Sequence, residues 1–182
     1  MYTQFYNSIL DPYKQTSKVN NTFLPPPYNN VSVDCHLAWC LGFLQFHTLD
    51  LFVPCDIISV DIKNELEKEF LLSAFDRIDP GIRNASSKTN HILFPSYSII
   101  SYFNTHLIVN QSNGVPDFIM NASKIVQQAY LDGYVYHNHL QICTSKKFVQ
   151  DLQNIKLPIS SCPITKVETY VLCSSLGNMF SN

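Results

Sequence analysis

The cysteines and histidines, six of each, are the residues in this chain of 182 that most readily do chemistry. His137 and His139 are separated by one residue, while Cys35, Cys40 and His47 lie far from them in sequence. This spacing matches no common zinc pattern. We therefore expect no metal site, and we expect the cysteines to be reduced residues of the core.

A short proline-rich motif offers a second kind of chemistry, the docking of a partner protein. Pro25, Pro26 and Pro27 are followed by Tyr28, which gives the Pro-Pro-x-Tyr pattern read by WW domains. A preformed polyproline II conformation lowers the cost of ordering such a segment on an aromatic groove. The alternative is that the prolines simply lead into a folded domain.

The low net charge of the chain argues against non-specific electrostatic binding of a nucleic acid. The formal net charge is −2 and charged residues make up only 14% of the sequence, so any nucleic-acid binding needs a local basic patch. The alternative for these cations is an ordinary solvated surface. The candidate phosphate-binding residues are Arg83, Lys88, Lys146, Lys147 and Lys166.

The elements that would position these residues begin near residue 34. Residues 1–34 contain prolines and many Asn and Tyr without sustained periodicity, which predicts an irregular N-terminal arm. Asp34 is a suitable cap for a helix that ends near Thr48. We then expect two short strands, an amphipathic helix and more strands, followed by a similar series after residue 115.

Two glycines occupy matched places in two of the predicted helices. Gly42 follows Ala38 by four residues, and Gly133 follows Ala129 by four residues. Glycine inside a helix costs about 1 kcal/mol relative to alanine, and close approach of another backbone is the usual compensation. We therefore expect the two helices to cross at their glycines, the alternative being chance.

Three segments resemble the LAGLIDADG homing endonucleases, and most closely those embedded in inteins of DNA polymerases. The stretch GVPDFIMNASKIVQQAYLDGY (114–134) is similar to the lead into the second signature helix of that family. LAWCLGFL (37–44) resembles the first signature helix, and CTSKKFVQDL (143–152) resembles the helix that follows the next strands.

The resemblance implies an α+β fold of two α-β-β-α-β-β-α pseudo-repeats, about 35–115 and 116–175, packed through paired helices within a domain of residues 35–182. In that family an acidic residue at each signature-helix end holds Mg²⁺ for hydrolysis of DNA. Alignment on the glycines puts His47 and Asn138 at these positions. Neither is a carboxylate, so the resemblance predicts a pseudoenzyme without a resident metal or cofactor.

We therefore expect a non-catalytic relative of these nucleases, kept for binding DNA or RNA or as a structural partner in a larger assembly. One alternative is an active Mg²⁺-dependent endonuclease that uses Asp50 or Asp132. Another is a viral-type interaction protein that recruits WW-domain partners through Pro25–Tyr28. Without a visible signal or membrane span, the sequence predicts an intracellular protein in the nucleus, the cytoplasm or an organelle.

Overall fold

The structure is a computed structural model that describes residues 1–14, 22–46, 50–52, 57–80, 87–88, 91–94, 102, 105–106, 115–136, 151 and 154–155. The elements in chain order are α1 (Tyr2–Leu10), a 3₁₀ helix (Asp11–Tyr13), β1 (Thr22–Phe23), β2 (Ser32–Val33), α2 (Cys35–Phe46), β3 (Asp50–Phe52), β4 (Ile57–Asp61), α3 (Glu65–Phe75), β5 (Ser87–Lys88), β6 (His91–Phe94), α4 (Asp117–Met120) and α5 (Lys124–Val135). The fold is α+β, because helices occur together with antiparallel sheets of short strands, and the helices predominate.

The strands form two antiparallel sheets. β1 pairs with β2, and four further strands form a second sheet in the order β3-β4-β6-β5. Val60 on β4 pairs with Ile92 on β6, and both side chains are fully buried. From α2 to β6 the elements therefore follow a helix-strand-strand-helix-strand-strand order. A second such series is not seen within the described residues, and the strands predicted after residue 137 lie outside them.

Helix α2 is the central element of the core. Its predicted cap is confirmed, because the Asp34 carboxylate accepts a hydrogen bond from the Leu37 amide at 2.9 Å. Every residue from His36 to Gln45 is buried, as expected for a helix that is apolar on all sides. None of the helices in the described part of the chain combines the length and apolar character needed to cross a membrane.

Helices α2 and α5 pack with their backbones in direct contact. A Cβ placed on Gly42 would overlap the Tyr130 carbonyl oxygen and would lie 3.0 Å from the Tyr134 amide nitrogen. A Cβ on Gly133 would likewise overlap the Trp39 carbonyl oxygen and would lie 3.0 Å from the Trp39 Cα. The structure thus places each glycine against the backbone of the opposite helix, where no side chain fits.

Helix α3 is held at its start by reciprocal capping. The Asn64 side chain accepts a hydrogen bond from the Glu67 amide at 3.0 Å, and the Glu67 carboxylate accepts one from the Lys63 amide at 2.7 Å. Phe70 and Ala74 lie on the inner face of this helix and are fully buried. The helix ends at Phe75, and the buried Ile78 follows it.

The prediction of an irregular arm over residues 1–34 is wrong. This part of the chain contains α1, the 3₁₀ helix and the β1–β2 hairpin. Leu10, Leu24 and Val33 from it are buried in the same hydrophobic cluster as α2 and α3. The physical reason is that its aromatic and aliphatic side chains cover apolar surface of the core, which outweighs the proline and asparagine content.

We expect Gly42→Ala and Gly133→Ala each to lower the free energy of unfolding by about 2 kcal/mol or more. Alanine has the higher helix propensity, by about 1 kcal/mol, but its methyl group would overlap a backbone that cannot rotate away. Urea unfolding measures the change. The control is Glu69→Ala at an exposed position of α3, expected within about 0.5 kcal/mol of wild type. Higher stability in either glycine variant would contradict the close contact.

Candidate functional site

The candidate site lies at the carboxyl ends of α2 and α5. α2 ends at Phe46 and α5 at Val135. His47 and Asn138, the positions at which the resemblance expects metal-binding acids, follow these ends and lie outside the described residues. Within the described residues, this end of the helix pair consists of the side chains of the last turns and the groups that bond to them or pack against them.

A buried hydrogen bond joins the two helices close to the end of α2. The Tyr130 hydroxyl donates to the side-chain oxygen of Gln45. Tyr130 is fully buried, and burial raises the pKa of its hydroxyl well above the ordinary value, with Tyr134 and Asp151 adding to the effect. The hydroxyl therefore stays protonated and keeps its role as a donor.

The end of α5 is anchored by Tyr136. Its ring lies edge-on to Trp39, with the ring centroids 4.8 Å apart. Its hydroxyl forms a hydrogen bond with the buried Glu67 carboxylate. Burial, together with the charge of Glu67 and this hydrogen bond, raises the pKa of Tyr136 to about 12. An aromatic side chain and a carboxylate thus fix the last turn of α5.

Asp132, one of the two acids considered for metal binding, has both carboxylate oxygens engaged within the protein. One oxygen accepts a hydrogen bond from the Tyr13 hydroxyl, and the other accepts one from the Gln128 amide at 2.7 Å. Burial raises the pKa of Asp132, while these two hydrogen bonds act in the opposite direction. The carboxylate connects α5 to the 3₁₀ helix. The side chain of Asp50, the other candidate, lies outside what the structure describes.

The described residues give no sign of a metal centre. No group of three or more His, Cys, Asp or Glu among them is placed to hold a metal ion. Burial and the nearby Asp34 raise the pKa of Cys35 to about 11, and burial raises that of Cys40 as well. Both thiols are thus protonated, which agrees with cysteines that pack as ordinary core residues. His137 and His139 lie outside the described residues.

Of the five candidate phosphate-binding residues, the structure places only the backbone of Lys88. It lies on β5, an edge strand of the four-stranded sheet, opposite His91 of β6. The other four lie outside the described residues: Arg83, Lys146, Lys147 and Lys166.

The proline motif does not adopt the conformation predicted for it. The Tyr28 amide donates to the Pro25 carbonyl at 3.1 Å, which closes a turn, whereas polyproline II has no internal hydrogen bonds. The Tyr28 ring packs edge-on against Tyr102 at 4.8 Å, and the Tyr102 hydroxyl donates to the Pro25 carbonyl at 3.1 Å. Pro26 is exposed, but Tyr28 is half-buried in this contact. The motif is part of the fold as it stands.

Two functionally relevant residues were missed by the sequence analysis. His36 is buried beneath α1, and Tyr13 binds Asp132 across 119 positions of sequence. A local signal for α1 exists, since Tyr2, Phe5, Tyr6 and Ile9 repeat at helical spacing. Nothing local indicates the partner of Tyr13.

No protein-family model and no curated protein sequence matches this chain.

We expect Tyr28→Ala to destabilise the fold by about 1–2 kcal/mol, because it removes the edge-on contact with Tyr102 and exposes that ring. Thermal or urea unfolding measures the loss. The exposed neighbour Asn29 provides the control, and Asn29→Ala should stay within about 0.5 kcal/mol of wild type. A motif held free for docking would instead tolerate Tyr28→Ala with no change in stability.

We expect Tyr13→Phe to cost about 1.5–3 kcal/mol at pH 7, because the buried Asp132 side chain loses one of its two hydrogen-bond donors. The pKa of Asp132 is already raised by burial, and removing a donor raises it further. The penalty should therefore shrink as the pH falls towards the ordinary aspartate range and the carboxyl group takes up a proton. Urea unfolding from pH 7 to pH 4 measures this trend.

The matched control for Tyr13→Phe is Tyr2→Phe. The Tyr2 hydroxyl bonds the neutral Ser73 hydroxyl at 3.0 Å, so its loss should cost about 0.5–1.5 kcal/mol and should not depend on the charge of Asp132. Equal penalties with equal pH profiles in the two variants would contradict the role assigned to Tyr13.

Proposed function

We propose that this protein is a non-catalytic relative of the LAGLIDADG homing endonucleases that binds a nucleic acid. The observation that carries the proposal is the backbone contact between α2 and α5 at Gly42 and Gly133. Such a contact between two helices of one chain is what the resemblance implies for the paired signature helices. Each glycine lies in the segment that carries the resemblance.

The order of elements gives further support. From α2 to β6 the helices and strands occur in the order of one pseudo-repeat of that family up to its last helix. The four strands form one antiparallel sheet, whose buried Val60 and Ile92 belong to the same hydrophobic cluster as α2. In this proposal α5 corresponds to the second signature helix.

The residues at the helix ends argue against hydrolysis. Mg²⁺ prefers charged oxygen ligands, whereas His47 offers an imidazole nitrogen and Asn138 a neutral amide. Asp132, in the last turns of α5, accepts internal hydrogen bonds from Tyr13 and Gln128 with both of its carboxylate oxygens. A chain of this kind keeps the scaffold of a nuclease without the ligands for its metal.

Nucleic-acid binding would use the strands and a few cations. The chain has a formal net charge of −2, so binding must come from local contacts with phosphates. Lys88 at the edge of the four-stranded sheet is one such cation, and Lys146 and Lys147 are adjacent in sequence. Contacts of this kind position a duplex without reading its sequence.

We expect the affinity for duplex DNA or RNA to fall as salt is raised, with a log–log slope of about −0.9 for each phosphate contacted on B-DNA. The double variant Lys146→Ala/Lys147→Ala should make this slope shallower by about 1–2. Fluorescence anisotropy with labelled duplexes measures both. The control is Lys68→Ala, because Lys68 pairs with Glu65 on α3 at 3.0 Å and should leave the slope unchanged.

Two results would overturn the proposal. Absence of any salt-dependent binding would leave only a structural role in an assembly. Cleavage of plasmid DNA in Mg²⁺ or Mn²⁺ that disappears in Asn138→Ala would establish the active endonuclease instead.

A further inference from the structure

Helix α1 covers the core with side chains that are only partly buried. Leu10 is the sole fully buried residue of this nine-residue helix. Phe5 lies edge-on to Phe70 of α3 at 5.8 Å, and the Tyr6 ring lies 5.6 Å from the same ring. The Tyr2 hydroxyl bonds Ser73 at 3.0 Å. An isolated helix of this length is not stable in water, so α1 is helical because it is docked.

The imidazole of His36 is buried under this contact. Its ring centroid lies 5.1 Å from that of Tyr6 on α1 and 4.3 Å from that of Phe70 on α3. Only 8% of the residue is exposed. Nε2 lies 2.9 Å from the Phe70 carbonyl oxygen, so this nitrogen carries the proton and donates, and Nδ1 is the site that would take up a second proton.

The groups that face His36 favour its neutral form. Burial lowers the pKa of His36 and the positive charge of Arg77 lowers it further, while the Phe70 carbonyl and Asp34 act in the opposite direction. Arg77 is paired with Asp34 at 2.7 Å, which offsets that carboxylate. On the side of α1 the facing group is Tyr6, whose hydroxyl pKa is raised by burial and which is therefore uncharged.

We propose that protonation of His36 releases α1 from α3 in mildly acidic conditions and exposes the aromatic surface beneath it. An imidazolium ion enclosed by two aromatic rings lacks the water that a charge requires. Among the elements around His36, α1 is attached mainly by half-buried side chains, so its release hydrates the ring with the least loss of packing. The released segment loses its helix, and Phe70 and Ser73 become accessible.

The sign of the effect follows from proton linkage. His36 in the docked state resists protonation, whereas in the released state it titrates near its ordinary pKa of about 6.5. Above that pH, the equilibrium constant for docking of α1 is therefore independent of this histidine. As the pH falls below about 6.5, the constant decreases by at most tenfold per pH unit, until the docked form also takes up the proton.

Asp132 lies at the other end of this segment, where the hydroxyl of Tyr13, which follows α1, donates a hydrogen bond to it. Burial raises the pKa of Asp132, and this hydrogen bond lowers it. Protonation of Asp132 weakens the bond from Tyr13, so it acts on the attachment of the segment in the same direction as protonation of His36. A variant that removes His36 and leaves Asp132 in place separates the two groups.

Hydrogen exchange on the full chain tests the proposal. Amide protection in residues 1–13 is compared at pH 7.5 and pH 5.0, after correction for intrinsic exchange rates, with protection in α5 as the internal reference. We expect protection of α1 to fall about tenfold or more, with α5 unchanged. In His36→Gln, which keeps an amide donor for the Phe70 carbonyl and does not titrate, the dependence on pH should vanish.

The control variant is His106→Gln. His106 is a half-buried histidine whose ring centroid lies 4.6 Å from that of Tyr102, so this variant should keep the wild-type dependence. Because docking opposes protonation of His36, the chemical shift of its ring, followed by NMR in the wild-type protein, should titrate with a midpoint below the ordinary histidine pKa of about 6.5, which provides a test that needs no variant. Wild-type protection that does not change with pH would overturn the proposal. So would a dependence that persists in His36→Gln, or a parallel loss in α5.

Discussion

The contact between α2 and α5 is a constraint on the whole molecule, because two backbones touch where side chains normally separate helices. Helix axes are usually 8–10 Å apart, a distance set by the side chains between them. At Gly42 and Gly133 there is no Cβ, and each residue lies against a carbonyl oxygen of the other helix. Such proximity fixes the path of both helices, and α3, the sheet and α1 are arranged around the pair they form.

The surroundings of this pair are unusually aromatic. Trp39 stacks on Phe43, with the ring centroids 5.6 Å apart, and lies edge-on to Phe70, with the ring centroids 5.1 Å apart. Close helices leave room for large rings only on their outer sides, and these rings fill the space between α2 and α3. The same layer extends to Tyr6 of α1, so one continuous aromatic cluster joins the N-terminal helix to the central one.

Local chemistry made part of this structure predictable from sequence. The Asp34 cap and the β4 and β6 strands depend on residues close together in the chain. The glycine contact could be proposed because glycine in a helix has a physical cost that needs a reason. The N-terminal helix was missed because the proline and asparagine content of residues 1–34 as a whole was given more weight than the apolar repeat of α1, which itself contains no proline. The bond from Tyr13 to Asp132 depends on tertiary structure alone, and no spacing encodes it.

The hydrogen bond between Tyr130 and Gln45 has a consequence for how the two central helices could change during evolution. Moving one helix along the other by a single turn would strand a hydroxyl and an amide in a dry interior, at a cost of about 1–3 kcal/mol for each group left without a partner. Together with the contact at the two glycines, this hydrogen bond fixes a single register of α2 against α5. A new activity at the ends of these helices must therefore arise by substitution of residues there, because a shift of one helix along the other would be too costly.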